Sequence, residues 1–355
     1  MEQLDEVWVL GATGRTGRRA AAILVERGVR TMLVGRNAAR LDAAATETGA
    51  ASTLTAPDPT AMAAAIRERH PAVVVNTVGP FSATSALFAE ACLPASSYVD
   101  LANDMTAAAA ITDLHESARQ HGRTLVTGAG FGVVGTEAPL ALLREGRPTP
   151  TSVRVDSAAS LSIPAGALGQ ALADSIVEMF SATGQQVVKG RFAPAPIGSS
   201  AQPLALPDGS SVVTGAWPSG DLAAAHRLSG ATEIVAATTE VPTGRAARAA
   251  LPLARALLRV GALRRFVSAR SAALRISDRP MPRPSSWGHA SATWADGGTQ
   301  EAWLRAGDAN DFTARVLAES ALRILSGQGA PGAGTPVDLL GLDLVEAAGG
   351  EVHLA

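Results

Sequence analysis

The sequence predicts an α/β protein in which a doubly wound parallel sheet is combined with an inserted mixed α+β domain. Three observations support this fold class. Short apolar segments alternate with helical segments up to residue 127, a glycine-rich turn separates the first strand from the first helix, and the alternation ends near residue 150. Because parallel strands need crossover connections, such an alternation indicates a parallel sheet.

The first domain is expected to contain six strands with five helices between them. The strands are short apolar segments at residues 6–10, 31–34, 53–54, 72–76, 97–100 and 123–127. The helical segments lie at residues 18–28, 38–48, 59–69, 82–92 and 106–121. This regular order predicts helices on both faces of one open sheet.

The second domain is predicted from strands and turns that follow no such order. Residues 151–158 and 232–240 have strand character, and a turn signal at Asp208-Gly209 lies between short apolar runs. Segments 287–295 and 300–304 flank a second turn and predict a hairpin. These features are typical of a mixed α+β domain.

The domain boundaries follow from these segments and from a late helix at residues 311–325, which is expected to return to the first domain. We therefore expect a cofactor domain of residues 1–134 with 308–355. The inserted domain, residues 135–307, is expected to supply the substrate side of the protein.

Composition excludes several classes of function. The 355 residues carry 30 Lys and Arg against 32 Asp and Glu, and a net charge of −2 gives no basic footprint for nucleic acid. Cys92 is the only cysteine, which excludes an intrachain disulfide, and no spacing among the histidines indicates a metal site. We also expect a cytoplasmic protein without a membrane span, since there is neither a signal peptide pattern nor a long apolar run.

A glycine motif follows the first predicted strand and opens the first helix. Such glycines let the backbone turn tightly and approach a pyrophosphate, while the helix N-terminus offers free N–H groups. The motif therefore predicts a dinucleotide site in a Rossmann domain. Its candidate binding residues are Gly11, Thr13, Gly14, Arg15, Thr16 and Gly17.

The residues after the second strand indicate which dinucleotide is bound. Gly35-Arg36-Asn37 occupies the place of the carboxylate that binds an NAD ribose, and no acid is present. Arg36, with Arg15 from the glycine motif, can instead pair with a 2′-phosphate. We therefore expect NADP(H), with Arg36 and Asn37 as binding residues. The alternative is that Arg36 is only a solvated residue at a strand end.

Three further segments lie at the carboxyl ends of strands and should converge at the same edge of the sheet. Tyr98-Val99-Asp100 ends the fifth strand, and Gly128 to Gly132 follow the sixth. Glycines here permit close approach of a ligand, and Phe or Pro can line a flat ring. The expected cofactor-binding residues are Asn76, Thr77, Val78, Gly79, Pro80 and Phe81 after the fourth strand, and Gly130 and Phe131 after the sixth.

These segments together resemble the saccharopine dehydrogenase-like NADP-binding oxidoreductases, a family that includes trans-acting enoyl reductases. The likeness continues through most of the chain. It implies a Rossmann fold, NADP(H), and reduction of C=N or C=C bonds or amine oxidation. Outside the first domain it rests on Pro218-Ser219-Gly220-Asp221-Leu222 with Gly230, on residues 308–314, and on Pro331-Gly332-Ala333-Gly334-Thr335-Pro336.

Three side chains are candidates for catalysis. Asp100 and Asp104 follow the fifth strand, where a carboxyl could act as general acid or hold an iminium cation. His226 could donate a proton near neutral pH. Each has a structural alternative, because a strand-end Asp often caps a turn or helix and a histidine is often part of a core.

The sequence accordingly favours an NADPH-dependent reductase that delivers hydride to the C=N bond of a small-molecule substrate. Two alternatives stay open. One is an enoyl (C=C) reductase that acts on a free or carrier-bound acyl substrate. The other is a protein that senses NADP(H) without turnover, since a fold does not fix a function. A homodimer is also left open.

Residues 245–275 form an arginine-rich amphipathic pattern that includes Arg265, Arg270 and Val267. The simplest interpretation is a solvated helix. A helix on a membrane surface is a second interpretation, and a docking surface for an acidic carrier protein is a third.

Overall fold

The computed structural model describes residues 4–163, 165–167, 177, 183–244, 256–258, 260–272 and 274–355. The chain divides into two compact units. Unit 1 consists of Met1–Val134 and Asn310–Glu351, and unit 2 consists of Gly135–Ala309 and Val352–Ala355.

Strands and helices alternate through the first part of the chain, apart from two consecutive helices, Met105–Thr112 and His115–Gln120, which precede the sixth strand. Asn37, Asp58 and Asp104 start three of the helices by accepting a hydrogen bond from a backbone N–H of the first turn. The elements are β1 (Leu4–Leu10), α1 (Arg15–Glu26), β2 (Thr31–Gly35), α2 (Ala38–Thr48), β3 (Ser52–Thr55), α3 (Pro59–Arg69), β4 (Pro71–Asn76), α4 (Phe81–Cys92), β5 (Ser97–Asp100), α5 (Met105–Thr112), α6 (His115–Gln120), β6 (Thr124–Val126) and α7 (Phe131–Arg144).

The middle of the chain is richer in strands. Its elements are β7 (Ser152–Ala158), β8 (Gly166–Ala167), β9 (Gln185–Val188), β10 (Arg191–Pro194), β11 (Gln202–Ala205), β12 (Ser211–Ala216), α8 (Gly220–Ser229), β13 (Glu233–Thr238), α9 (Gly261–Ala272), β14 (Arg275–Ile276), β15 (Ser286–Thr293) and β16 (Thr299–Ala306). The chain ends with α10 (Ala309–Leu325), β17 (Gly332–Gly334), α11 (Pro336–Leu340), α12 (Leu344–Ala347) and β18 (Glu351–Leu354).

Unit 1 is built on a parallel sheet of seven strands in the order β17-β6-β5-β4-β1-β2-β3. Val9 pairs with Leu33 of β2 on one side and with Val75 of β4 on the other, so β1 and β4 are neighbours although two strands separate them in sequence. Open α/β sheets commonly bind ligands where the strand order reverses, and in unit 1 the order reverses between β1 and β4.

The core of unit 1 explains why these strands are nearly continuous apolar runs. Trp8, Phe88 and Tyr98 are fully buried between the sheet and its helices. A parallel sheet with both faces covered needs apolar side chains pointing in both directions.

Unit 2 contains a nine-stranded mixed sheet. Strands β7 and β13 run parallel, while β15 and β16 form the predicted antiparallel hairpin. Trp287 and Trp303 pack edge to face on one side of it, with Ala158 and Leu204 beside them. The doubly wound sheet of unit 1 and the mixed sheet of unit 2 confirm the predicted fold class.

Candidate functional site

The glycine motif forms a tight turn at the end of β1. Gly11 has a φ of +77°, a conformation that favours glycine, and its N–H donates to the carbonyl of Val34 at 2.9 Å. Gly14 N–H then donates to the carbonyl of Gly11 at 2.9 Å. The backbone therefore reverses direction within four residues and enters α1.

The loop packs directly on Thr77 of the neighbouring strand end. The Thr77 hydroxyl donates to the carbonyl of Leu10 at 2.7 Å. A Cβ atom on Gly17 would lie 2.6 Å from Thr77 Oγ1, and one on Gly11 would lie 2.7 Å from it. These two glycines are thus required by close packing between the loop and β4.

Gly14 differs from these two glycines. A Cβ atom on Gly14 would meet the Gly11 carbonyl oxygen at 3.2 Å and no other atom within 4 Å. Gly14 is exposed and is the N-cap of α1, where no side chain caps the helix and no acidic residue lies in the first turn. The N–H groups in the first turn of α1 and the positive end of the helix dipole are suited to a phosphate group.

Two arginines are the predicted phosphate-binding side chains: Arg15 is the first residue of α1, and Arg36 follows β2. Arg15 and Arg36 are both exposed, and neither forms an ion pair with a residue that the structure describes. Asn37, predicted as a binding residue, accepts a hydrogen bond from Arg40 N–H at 2.9 Å and so caps α2. Its side chain therefore has a clear structural task.

The segment after β4 is held by a buried amide. Asn76 is fully buried, accepts a hydrogen bond from Val78 N–H at 2.8 Å and donates to the Tyr98 hydroxyl at 2.9 Å. Gly79 has open space where a Cβ atom would be, and Phe81 is partly exposed. The loop therefore has an interior organised by Asn76 and an open side at Gly79.

Asp100 is the centre of a hydrogen-bond network that joins the ends of β4, β5 and β6. Its side chain is fully buried. Oδ2 accepts from Ser85 Oγ at 2.7 Å and from Tyr98 OH at 2.8 Å. Oδ1 accepts from Thr127 Oγ1 at 2.8 Å and from the backbone N–H groups of residues 102 and 128 at 3.0 and 3.2 Å.

These contacts give Asp100 a positioning role, because its oxygens are already used by five donors. Tyr98 shares that role. Burial, together with the neighbouring Asp100, raises the pKa of Tyr98 well above its ordinary value, so the phenol stays neutral. Asp104, the other predicted acid, accepts from Ala107 N–H at 2.7 Å and caps α5.

The turn after β6 owes its glycines to packing. A Cβ atom on Gly130 would lie 2.8 Å from the Thr313 methyl group, and one on Gly132 would lie 2.5 Å from Asn103 Nδ2. Phe131, expected to line the site, is 3% exposed, and its ring packs edge to face on Phe312. In unit 1 this ring is part of the core.

His226 lies on α8 of unit 2. Its ring packs edge to face on Phe192 with 5.0 Å between centroids. Nδ1 is buried and has no hydrogen-bond partner among the residues that the structure describes. Nearby in sequence, Asp221 is fully buried in the first turn of α8 and accepts a hydrogen bond from Ser219 Oγ. Burial raises the pKa of Asp221 to about 7.

A buried contact between a carboxyl and an imidazole on the unit 2 sheet was not predicted. Asp156 on β7 faces His289 on β15, whose Nδ1 lies 3.1 Å from Asp156 Oδ2. Thr214 Oγ1 donates to Asp156 Oδ1, and Arg154 Nη2 lies 2.9 Å from the same oxygen. Burial opposes ionisation of Asp156, but these partners outweigh it and lower its pKa below the ordinary value. The strand also carries Ser152 and Arg154, so no local pattern in the sequence distinguished Asp156.

Two features are absent from the residues that the structure describes. No three His, Cys, Asp or Glu side chains within those ranges come together as a metal site would require. Within the same ranges, no helix has both the length and the apolar character needed to cross a bilayer.

Comparison with solved structures places this architecture. An apo saccharopine dehydrogenase (L-Glu forming) from Saccharomyces cerevisiae superposes with a TM-score of 0.59 and 11% sequence identity, covering 99% of this chain and 100% of that one. The fold is that of saccharopine dehydrogenase. This saccharopine dehydrogenase fold agrees with the resemblance found in the sequence motifs.

A second solved structure is less similar to this chain. A probable dehydrogenase from Thermotoga maritima matches with a TM-score of 0.44 and 12% identity over 97% of this chain and 94% of that one. No protein-family model matches the chain, and no curated protein sequence matches it.

Proposed function

We propose that this protein is an NADP(H)-dependent oxidoreductase that reduces the C=N bond of a small-molecule substrate. The observation that carries the proposal is the open helix start at Gly14, combined with the lack of a carboxylate at residues 35–37 and with Arg36, which forms no ion pair with a residue that the structure describes. The helix start suits a pyrophosphate, and an arginine in the place of the carboxylate suits a 2′-phosphate.

The residues present fit a nicotinamide dinucleotide. Gly14 and the first N–H groups of α1 would hold the pyrophosphate, because a side chain at residue 14 would occupy the open side of the loop. Arg36, supported by Arg15, would hold the 2′-phosphate. The segment around Gly79 has room for the backbone to approach the cofactor closely. When bound, NADPH supplies the hydride.

The protein's own contribution is orientation. Asp100 fixes the loops after β5 and β6, and Asn76 fixes the loop after β4, so the strand ends keep one arrangement when a ligand binds. Buried and fully hydrogen-bonded networks of this kind are rigid. We therefore assign Asp100 to positioning.

The proton that accompanies hydride transfer needs a separate donor. His226 is the candidate that we retain, because Nδ1 has no hydrogen-bond partner among the described residues. Asp104 stays a second candidate, although its capping bond to α5 favours a structural role.

The experiment is a turnover assay that follows NADPH oxidation with a panel of cyclic imines and a panel of enoyl thioesters. The proposal expects oxidation with at least one imine and a loss of activity in Arg36→Ala at low NADPH concentration. Oxidation with enoyl thioesters alone would replace C=N by C=C reduction. Tight NADPH binding without turnover in either panel would favour a sensing protein.

A further inference from the structure

The peptide unit between Thr13 and Gly14, at the entry to α1, has a hydrogen-bond partner at each end. Its carbonyl oxygen, on Thr13, accepts from Arg18 Nη2 at 3.1 Å. Its N–H, on Gly14, donates to the carbonyl of Gly11 at 2.9 Å. Because a trans peptide unit is planar, with its C=O and N–H pointing in opposite directions, these two partners fix the orientation of the whole unit. Arg18 therefore helps to set the shape of the glycine loop, residues 11–17.

Arg18 is in turn held by the second helix. Its Nη1 donates to Oε2 of Glu47, in the last turn of α2, at 2.9 Å. A guanidinium can make both contacts because it is a rigid, planar fork with several donors. The ion pair with Glu47 also offsets the charge of Arg18, so Arg18 is not a free cation of the kind that binds a phosphate.

The N–H groups that a phosphate would meet lie just beyond this peptide unit. The N–H of Arg18 donates to the carbonyl of Gly14 at 3.0 Å, so the N–H groups of residues 15–17 come before the first bond of the helix and have no partner within it. A carbonyl oxygen turned toward the same place would repel an anion. The bond from Arg18 keeps the Thr13 oxygen on the side of the guanidinium.

We propose that Arg18 is a positioning residue of the dinucleotide site. Through the Thr13 carbonyl, it holds the glycine loop in the conformation that leaves the N–H groups of residues 15–17 open to the pyrophosphate. The inference rests on the proposed function, because it requires a pyrophosphate at the start of α1. It gives Arg18 a task distinct from that of Arg36, since the pyrophosphate is common to NADPH and NADH whereas the 2′-phosphate is not.

Arg19 is the matched control. It follows Arg18 on α1, lines the same cavity of about 470 Å³, and also pairs with a carboxylate, Asp311 Oδ1, at 3.1 Å. Its side chain has no hydrogen bond to residues 11–17, all of which the structure describes. Replacing either arginine by Met removes one positive charge beside the same cavity and keeps an unbranched apolar stem. The difference between the two variants therefore isolates the bond to Thr13.

The first measurement is amide hydrogen exchange of the full chain without ligand. The Gly14 N–H should exchange roughly fivefold faster in Arg18→Met than in the unchanged protein, because the peptide unit loses the partner that fixes it. Arg19→Met should match the unchanged protein. This readout does not depend on any enzymatic activity.

The second measurement is fluorescence titration of the same proteins with NADPH and with NADH. Arg18→Met should weaken the binding of both dinucleotides by the same factor, roughly fivefold, and so leave the ratio of the two affinities unchanged. Arg19→Met should stay within about twofold of the unchanged protein for both. Circular dichroism should show both variants folded.

Three results would overturn the inference. One is equal Gly14 exchange in Arg18→Met and Arg19→Met, and another is a loss of affinity for NADPH alone, which would make Arg18 a ligand of the 2′-phosphate. The third is faster Gly14 exchange with unaltered binding of both dinucleotides. In each of these the unchanged protein still binds a dinucleotide, so the proposed function is untouched. If the unchanged protein bound neither NADPH nor NADH, the proposed function itself would fail, and this inference with it.

Discussion

A Cβ atom on Gly17 would lie 2.6 Å from the hydroxyl oxygen of Thr77. The same hydroxyl donates to the carbonyl of Leu10, so it cannot simply turn away. Thr77 therefore sets how closely the glycine loop lies on the end of β4, and it does so at the place where the strand order of the sheet reverses.

Two glycine substitutions separate packing from ligand binding. Gly17→Ala should lower the free energy of unfolding by about 1–3 kcal/mol, because the new methyl group meets Thr77 and also the Gly11 carbonyl oxygen at 2.9 Å. Gly14→Ala should lower that free energy by less than Gly17→Ala, because its methyl group meets only the Gly11 carbonyl oxygen, at 3.2 Å, but it should weaken NADPH binding by roughly tenfold, about 1.4 kcal/mol. Urea unfolding and fluorescence titration measure the two effects.

Gly307→Ala is the control for both variants, because Gly307 has open space and lies in unit 2. It should leave NADPH affinity unchanged and alter stability little. If Gly14→Ala bound NADPH as tightly as Gly307→Ala, the pyrophosphate would not lie at Gly14.

The Asp100 network predicts a loss of stability rather than a specific loss of chemistry. Asp100→Asn should lower the free energy of unfolding by about 2–4 kcal/mol, since an amide nitrogen would face the donors Ser85 and Tyr98. Ser85→Ala removes one donor and should cost about 1 kcal/mol. Unchanged stability in Asp100→Asn together with a kcat lowered by roughly 10²-fold would instead make Asp100 a catalytic acid.

Asp221 should give the protein a pH-dependent stability. Burial raises its pKa from the ordinary 3.8 to about 7, so between about pH 4 and 7 the folded state holds a proton that the unfolded state has released. Stability should therefore fall as the pH rises through this window. Asp221→Asn cannot titrate and should lack this slope. Thermal unfolding of both proteins from pH 4 to 8 measures it, and parallel curves would show that Asp221 ionises normally.

Asp156 should give stability the opposite dependence on pH. Its pKa is lowered, so the stability it contributes is present above about pH 4 and is lost only at more acidic pH. The two carboxyls therefore act in different pH windows and with opposite sign.

The alternation of strands and helices was predictable because each parallel strand is buried on both faces and is therefore an apolar run. The seventh strand of unit 1, β17, was not predicted. Its sequence, Gly-Ala-Gly, has little strand propensity, and its conformation comes from pairing with β6. Long-range pairing of this kind leaves no local pattern in the sequence.

The positions of the candidate site residues within the fold were predictable to a similar extent. The glycine motif and Arg36 could be placed from their position relative to the first two strands. The packing of Phe131 on Phe312 and the partners of Asp100 depend on residues far apart in sequence, so a strand-end aromatic or acid looks the same whether it meets a ligand or the core. The sequence therefore predicts where these side chains lie in the fold, but not which residues they contact.

The most direct test of the proposed cofactor is the affinity for NADPH and for NADH, measured by fluorescence titration with the unchanged protein, Arg36→Ala and Arg40→Ala. Arg40 is the matched control, since it is an exposed arginine on the neighbouring α2. The unchanged protein and Arg40→Ala should bind NADPH at least roughly tenfold more tightly than NADH, about 1.4 kcal/mol, and Arg36→Ala should lose that preference. Equal affinities for NADPH and NADH in the unchanged protein would contradict the account.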